Sequence, residues 1–174
     1  DFYNGDRAVP KILIVDEYWK FGLDDDQGSQ RIQHFMIGAF RLFRKYNAAS
    51  FIGTQSPLDL APDGNSPILQ NAANVIIMKQ KTESVEALKK NGILALTDYT
   101  FELMKTVRRK GSEYSDLFIY TSGRGFGIAR FVIDRFTQLL YSTDPKEKAD
   151  LDNIMEQGHN VVEAIKIKME KEGA

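Results

Sequence analysis

Two acidic residues, Asp16 and Glu17, directly follow the apolar run Ile12-Leu13-Ile14-Val15. Four consecutive apolar residues, three of them Ile or Val, predict a strand buried on both faces. Carboxylates at the end of such a strand lie at the C-terminal edge of a sheet, where open α/β folds bind ligands. The pattern has the form of a Walker B motif, in which the Asp holds the Mg²⁺ of a nucleotide and the Glu polarises the attacking water. The plain alternative is a buried strand that exits into an acidic loop. A second pair weighs against that alternative. Ala49-Ser50-Phe51-Ile52-Gly53-Thr54-Gln55 is another short strand with a polar end, and Gln55 follows Glu17 by 38 positions. In RecA-like ATPases the strand after Walker B ends in a polar sensor, and a Gln amide can donate to phosphate and accept from water together. Glu17 and Gln55 are therefore the catalytic candidates, with Asp16 (to Mg²⁺ through water) and Thr54 as the cofactor contacts and ATP as the cofactor.

The elements that position these residues follow from periodicity. Ile32, Phe35, Met36, Ala39, Phe40 and Phe43 share one face of a helix predicted over 29–46, with Asn47 as its C-cap. Ser66-Pro67 opens a short helix, and Asn74–Met78 is a third buried strand. Helices over 82–91 and 97–107 follow, then a basic knot from Lys105 to Gly111. Strands at 116–122 and 128–134 form a hairpin around Gly123-Arg124-Gly125-Phe126-Gly127. Helices close the chain, one starting at Asp144-Pro145 with Leu151, Ile154 and Met155 inward, the last with Val162, Ile165 and Met169 on one face. Strand–helix alternation in the first half predicts an α/β fold with a mainly parallel sheet, the hairpin and two helices being appended to it. The expected organisation is one domain, with a RecA-like core half over 1–110, a hairpin region over 111–143 and C-terminal helices over 144–174.

Composition narrows the classes. A chain of 174 residues with 43% hydrophobic and 27% charged residues is long enough for a real core and ordinary for a globular protein. It holds no apolar run near the roughly 18 residues of a transmembrane helix. The absence of cysteine excludes disulfides and thiolate metal sites, and the two histidines, His34 and His159, are too isolated for a zinc site. The Asp24-Asp25-Asp26 run lacks a surrounding set of oxygen ligands and is expected to be a solvated loop. Residues 79–110 carry eight Lys/Arg against four Asp/Glu, a basic middle between acidic flanks but too weak for a nucleic-acid footprint on charge alone. Arg124–Phe131 has the look of the RNA-recognition octapeptide, yet Ile128 and Ala129 break the pattern and the partner strand abuts it in a hairpin.

Lys11–Phe21, Arg44–Asn47, Phe51–Pro57 and Phe126–Thr143 together resemble the C-terminal part of the TraC-type conjugative-transfer ATPases, which power type IV secretion systems. The resemblance runs from about residue 11 to 170. Family members often have Pro where Arg135 stands, and Arg there is expected to leave that loop less rigid. No Gly-x-x-x-x-Gly-Lys-Ser/Thr occurs in the chain, so a P-loop strand and helix are expected upstream of Asp1 in an intact protein. The resemblance implies a RecA-like P-loop NTPase motor, assembled as a homo-hexamer at the cytoplasmic face of a bacterial inner membrane with other type IV secretion components. It gives Asp16 the Mg²⁺, Glu17 the base role and Gln55 the sensor role. It also implies an arginine finger in trans, for which Arg108, Arg109 and Arg124 are the candidates. Two other functions fit the same residues: a DNA-pumping translocase with the basic middle facing DNA, and a non-catalytic assembly module on a degenerate ATPase fold. Salt-dependent DNA binding separates the first of these, and ATP turnover the second.

Overall fold

The computed structural model describes residues 4–21, 27–61, 66–111 and 113–173; the Asp24–Asp26 run lies outside them. The chain divides into two compact units, Asp1–Arg108 with Asp116–Ala129, and Arg109–Ser115 with Arg130–Ala174. Asp116 onward belongs with the first unit because its strand pairs there, whereas Arg109 and Lys110 pair with Ser115 and Tyr114.

In the first unit, β1 (Lys11–Val15) and β2 (Ala48–Ile52) pair in parallel, in register from Lys11↔Ala48 to Val15↔Ile52. Helix α1 (Gln27–Leu42) and a 3₁₀ turn (Phe43–Tyr46) connect them. The expected cap, Asn47, ends the turn in the left-handed conformation at φ 50°, which Asn tolerates better than other side chains. Met36 of α1 and Tyr18 and Ile68 are buried in one cluster, against which Leu13, Val15 and Ile52 pack. The opposite face of this sheet is bare: Ile12, Ile14 and Phe51 are 62%, 73% and 62% exposed. The first strand, expected to be buried on both faces, is thus half-buried on one and exposed on the other, because a single helix layer reaches only alternate residues of a pleated strand. Among the described residues β2 has no partner but β1, so its far edge is free.

Helix α2 (Pro67–Asn71) starts as expected, with Ser66 Oγ accepting the Leu69 N–H at 3.1 Å. Its Ile68 joins the cluster under the parallel sheet, and Leu69 joins a second cluster. That second cluster contains Val75 and Ile77 of β3 (Asn74–Ile77), Val85 and Leu88 of α3 (Thr82–Lys90), and Phe101 and Met104 of α4 (Asp98–Lys105). Strand β3 does not extend the parallel sheet. It pairs antiparallel with Phe118–Thr121 of the strand that follows the basic knot, and Phe118 there is fully buried among the same side chains. Periodicity reports which residues are buried and is silent about the pairing partner. The architecture is accordingly mixed α/β, a small parallel sheet and an antiparallel one, consistent with a P-loop NTPase-like domain.

The second unit holds β4 (Arg109–Lys110) paired with the start of β5 (Tyr114–Thr121). The end of β6 (Gly125–Phe131), the return strand of the hairpin, also belongs to it, as do α5 (Arg135–Leu140), α6 (Pro145–Met155) and α7 (Val161–Glu172). Asp144 and Asn160 cap α6 and α7 through backbone N–H groups of the first turn. Leu139, Leu151, Ile154, Ala164 and Ile165 form the core. Val162, expected inward, is exposed, and Lys168 is buried instead. The reason is that α7 packs on both α5 and α6, which centres its inner stripe on Ala164, Ile165 and Lys168. Lys168 Nζ meets Asp150 Oδ2 at 2.7 Å. Arg135 is likewise no source of slack. Its guanidinium binds both Glu172 oxygens at 2.9 and 3.0 Å and Glu147 Oε1 at 2.9 Å, tying the start of α5 to α6 and to the end of α7. Among the described residues no helix is long and apolar enough to cross a membrane.

Candidate active site

Parallel pairing in register brings the ends of β1 and β2 together. One residue past the last pair, Asp16 lies beside Gly53, and Glu17 and Thr54 follow outside the paired strands. Backbone bonds carry the pairing onward: Gly53 N–H to Val15 O at 2.8 Å and Tyr18 N–H to Gly53 O at 3.0 Å. Asp16 Oδ1 accepts the Glu17 N–H at 2.8 Å. Glu17 itself sits at φ 53°, a left-handed conformation that costs a non-glycine residue of order 1–3 kcal/mol. What holds it is the Asp16 bond on one side and Tyr18 on the other. Tyr18 is buried with Met36 and Ile68, and burial pushes its phenol pKa up.

The side chains differ in what they touch. Asp16 and Gln55 are exposed, and Gln55 makes no hydrogen bond among the described residues. Glu17 is partly exposed and its carboxylate pairs with Lys20, whose ammonium stands 5.7 Å from the centre of the Trp19 ring. Thr54 is committed elsewhere: its hydroxyl donates to Asp59 Oδ2 at 2.6 Å. The same carboxylate oxygen takes the Ser56 N–H at 2.9 Å, while Ser56 Oγ accepts the Leu58 N–H, a capping box on the 3₁₀ turn Pro57–Leu60. Thr54 therefore anchors the loop that carries Gln55, with only its oxygen lone pairs left for a ligand.

No group of three or more His, Cys, Asp or Glu among the described residues could hold a metal ion alone. The Asp16 carboxylate at the end of β1 suits Mg²⁺ nevertheless, because that ion keeps waters and takes one or two carboxylates together with substrate phosphates. The donor set thus fits a metal that arrives with a nucleotide.

The three candidate arginines come from other elements. Arg108 and Arg109 are exposed after α4, and Arg124 is exposed in the turn between β5 and β6. Arg109 Nε donates to the nearby Gly111 carbonyl at 3.4 Å. The basic middle is partly neutralised, Lys105 by Glu86 and Glu102, Lys89 by Asp98 and Lys110 by Glu113. Sequence reasoning passed over three residues of the site: Lys20, Gly53 and Asp59. Asp59 had a legible signal, since Ser56-Pro57-Leu58-Asp59 is the S-x-x-D pattern of a capping box. A lone Gly ending a strand pattern is likewise a sign of close backbone approach.

The family model of the TraG P-loop domain matches residues 5–172. No curated protein and no solved structure matches the chain. The matched span contains both strand ends, the antiparallel sheet and the C-terminal helices, and the family is one of nucleotide binding and conjugation. On a match over nearly its whole length, the chain belongs to the TraG P-loop domain family and represents a conjugative-transfer ATPase-like region.

Proposed function

We propose that this chain forms the Walker B and sensor half of an ATP-hydrolysing motor for bacterial conjugative transfer through a type IV secretion system. The motor works as a homo-hexamer at the cytoplasmic face of the inner membrane. The observation that supports this most is the parallel register Val15↔Ile52, which brings together the C-terminal ends of the two strands that Asp16-Glu17 and Gly53-Thr54-Gln55 follow. Asp16 would hold the metal through water, and Mg²⁺ so held neutralises charge on the nucleotide phosphates. Glu17 takes a proton from the attacking water at its carboxylate. Gln55, exposed and without a hydrogen-bond partner among the described residues, orients that water and the terminal phosphate. One of the exposed Arg108, Arg109 and Arg124 reaches a neighbouring subunit's nucleotide. Any direct contact with DNA falls to the same exposed cations and would weaken steeply with salt.

Glu17→Gln tests the assignment in a chain that carries a Walker A loop. ATP binding should persist while turnover falls by about 10²-fold or more. Turnover within about threefold of the parent removes Glu17 from the mechanism.

A further inference from the structure

We propose that Gly53 is a positioning residue: it holds the Asp16 carboxylate in place and, through it, the turned backbone of Glu17. A Cβ added at Gly53 would lie 2.8 Å from Asp16 Oδ1 and 3.8 Å from Asp16 Cα and Cγ. Carbon and oxygen do not approach that closely, so something has to move. The backbone of Gly53 is poorly placed to yield, because its N–H is held by Val15 O and its carbonyl by the Tyr18 N–H. The free end of the Asp16 side chain is what gives way. That same Oδ1 accepts the Glu17 N–H at 2.8 Å, and rotating it away removes the bond that supports Glu17 at φ 53°. One methyl group on β2's end thus shifts both acidic residues on β1's end without changing the chemistry of either.

Steric room, not backbone freedom, is what glycine supplies here, since the φ of Gly53 lies outside the left-handed region. At Gly38 and Gly127, by contrast, an added Cβ meets nothing within 4 Å. The catalytic consequence rests on the nucleotide assignment of Asp16 and Glu17, whereas the geometric consequence does not.

The test separates the two. In the present chain, Gly53→Ala should raise the hydrogen-exchange rate of the Glu17 amide by about tenfold or more, with Gly38→Ala as the control that leaves it unchanged. An unaltered Glu17 amide in Gly53→Ala overturns the proposal whatever the activity does. Should Gly53→Ala fold poorly, the double variant with Asp16→Ala replaces it. With the Asp16 side chain gone the methyl has room, so the pair should be no less stable than Asp16→Ala alone, and additive destabilisation overturns the steric account. In a chain with a Walker A loop, Gly53→Ala should lower kcat by about 10- to 100-fold and leave the KM for ATP within about threefold, as expected for a displaced reacting group. If Asp16→Ala abolishes turnover and Gly53→Ala does not, the positioning role is overturned. If Asp16→Ala is itself without effect, it is the nucleotide assignment that fails, and the exchange result still decides the geometry.

Discussion

Asp16 and Glu147 are both carboxylates at the edge of an element, and the molecule treats them in opposite ways. Glu147 receives the Ser142 hydroxyl at 2.5 Å on one oxygen and Arg135 at 2.9 Å on the other. Glu172 takes Arg135 and Lys168, and Asp150 accepts from Lys168. In that C-terminal unit the charges use one another up. At the end of β1, Asp16 spends one oxygen on its neighbour's amide and faces water, while Gln55 has no partner among the described residues. Charge satisfied internally stabilises a fold, and charge left accessible on a rigid strand end is available to something that binds. The two regions should therefore fail differently when broken.

The largest contrast is expected from Asp16→Asn against Arg135→Ala. Asp16→Asn should cost turnover about 10²-fold in a chain with a Walker A loop and change stability by no more than about 0.5 kcal/mol, as for other exposed sites. Arg135→Ala should do the reverse. It strips partners from Glu147 and Glu172 around a mostly shielded guanidinium, which predicts a loss of about 1–3 kcal/mol in urea unfolding and unchanged turnover per folded molecule. Equal losses of turnover from the two variants would erase the distinction between the regions.

A pH series sharpens the same comparison with a smaller signal. Hydrogen bonds from Ser142 and then Arg135 hold Glu147 below the usual carboxylate range. Arg135 and Lys168 do the same for Glu172, and Lys168 for Asp150. Groups whose folded pKa is depressed contribute stability above their unfolded values, 4.5 for Glu and 3.8 for Asp. That stability is lost as pH falls through the lower folded values. Lys168 is shifted upward by Asp150, so its share survives acid until its partners protonate and is lost on its own account only at alkaline pH. Melting followed by amide signals of α6 and α7 should thus fall in temperature from about pH 5 downward, and the fall should be shallower in Arg135→Ala. A pH dependence identical in the variant would mean that the network carries no linkage.

Much of this arrangement was legible in the residues. The strand over Lys11–Val15, the polar ends at Asp16-Glu17 and Thr54-Gln55, and the helix ends at Asn47, Ser66 and Asp144 all rest on local chemistry, and local chemistry is what a sequence displays. What escaped was decided by neighbours distant in the chain. The outer face of β1 is bare because of what packs on it, β3 pairs with β5 because Val75, Ile77 and Phe118 share a core, and Arg135 finds Glu172 across 37 residues. What Gly53 makes room for was hidden for the same reason, since the atoms that would crowd an added Cβ belong to Asp16, beyond the other strand.

The smallest expected effect concerns Lys20, which pairs with the Glu17 carboxylate. The pair joins residues three apart, and the two side chains are 59% and 44% exposed. Such a pair is worth about 0–1 kcal/mol, which bounds any change in rate from losing it at about fivefold. The direction follows from what a base needs. An ammonium on the carboxylate competes with water for the oxygen lone pairs that must take the proton, so the pair restrains the resting site. Lys20→Ala should therefore raise turnover modestly, by up to about fivefold, and Lys20→Arg should not. Salt offers an independent check, because it screens an exposed pair. Raising ionic strength should speed the parent relative to Lys20→Ala until the two converge. A loss of more than about tenfold in Lys20→Ala would instead make Lys20 part of the machinery. Identical salt profiles would mean that the pair does not restrain Glu17 at all.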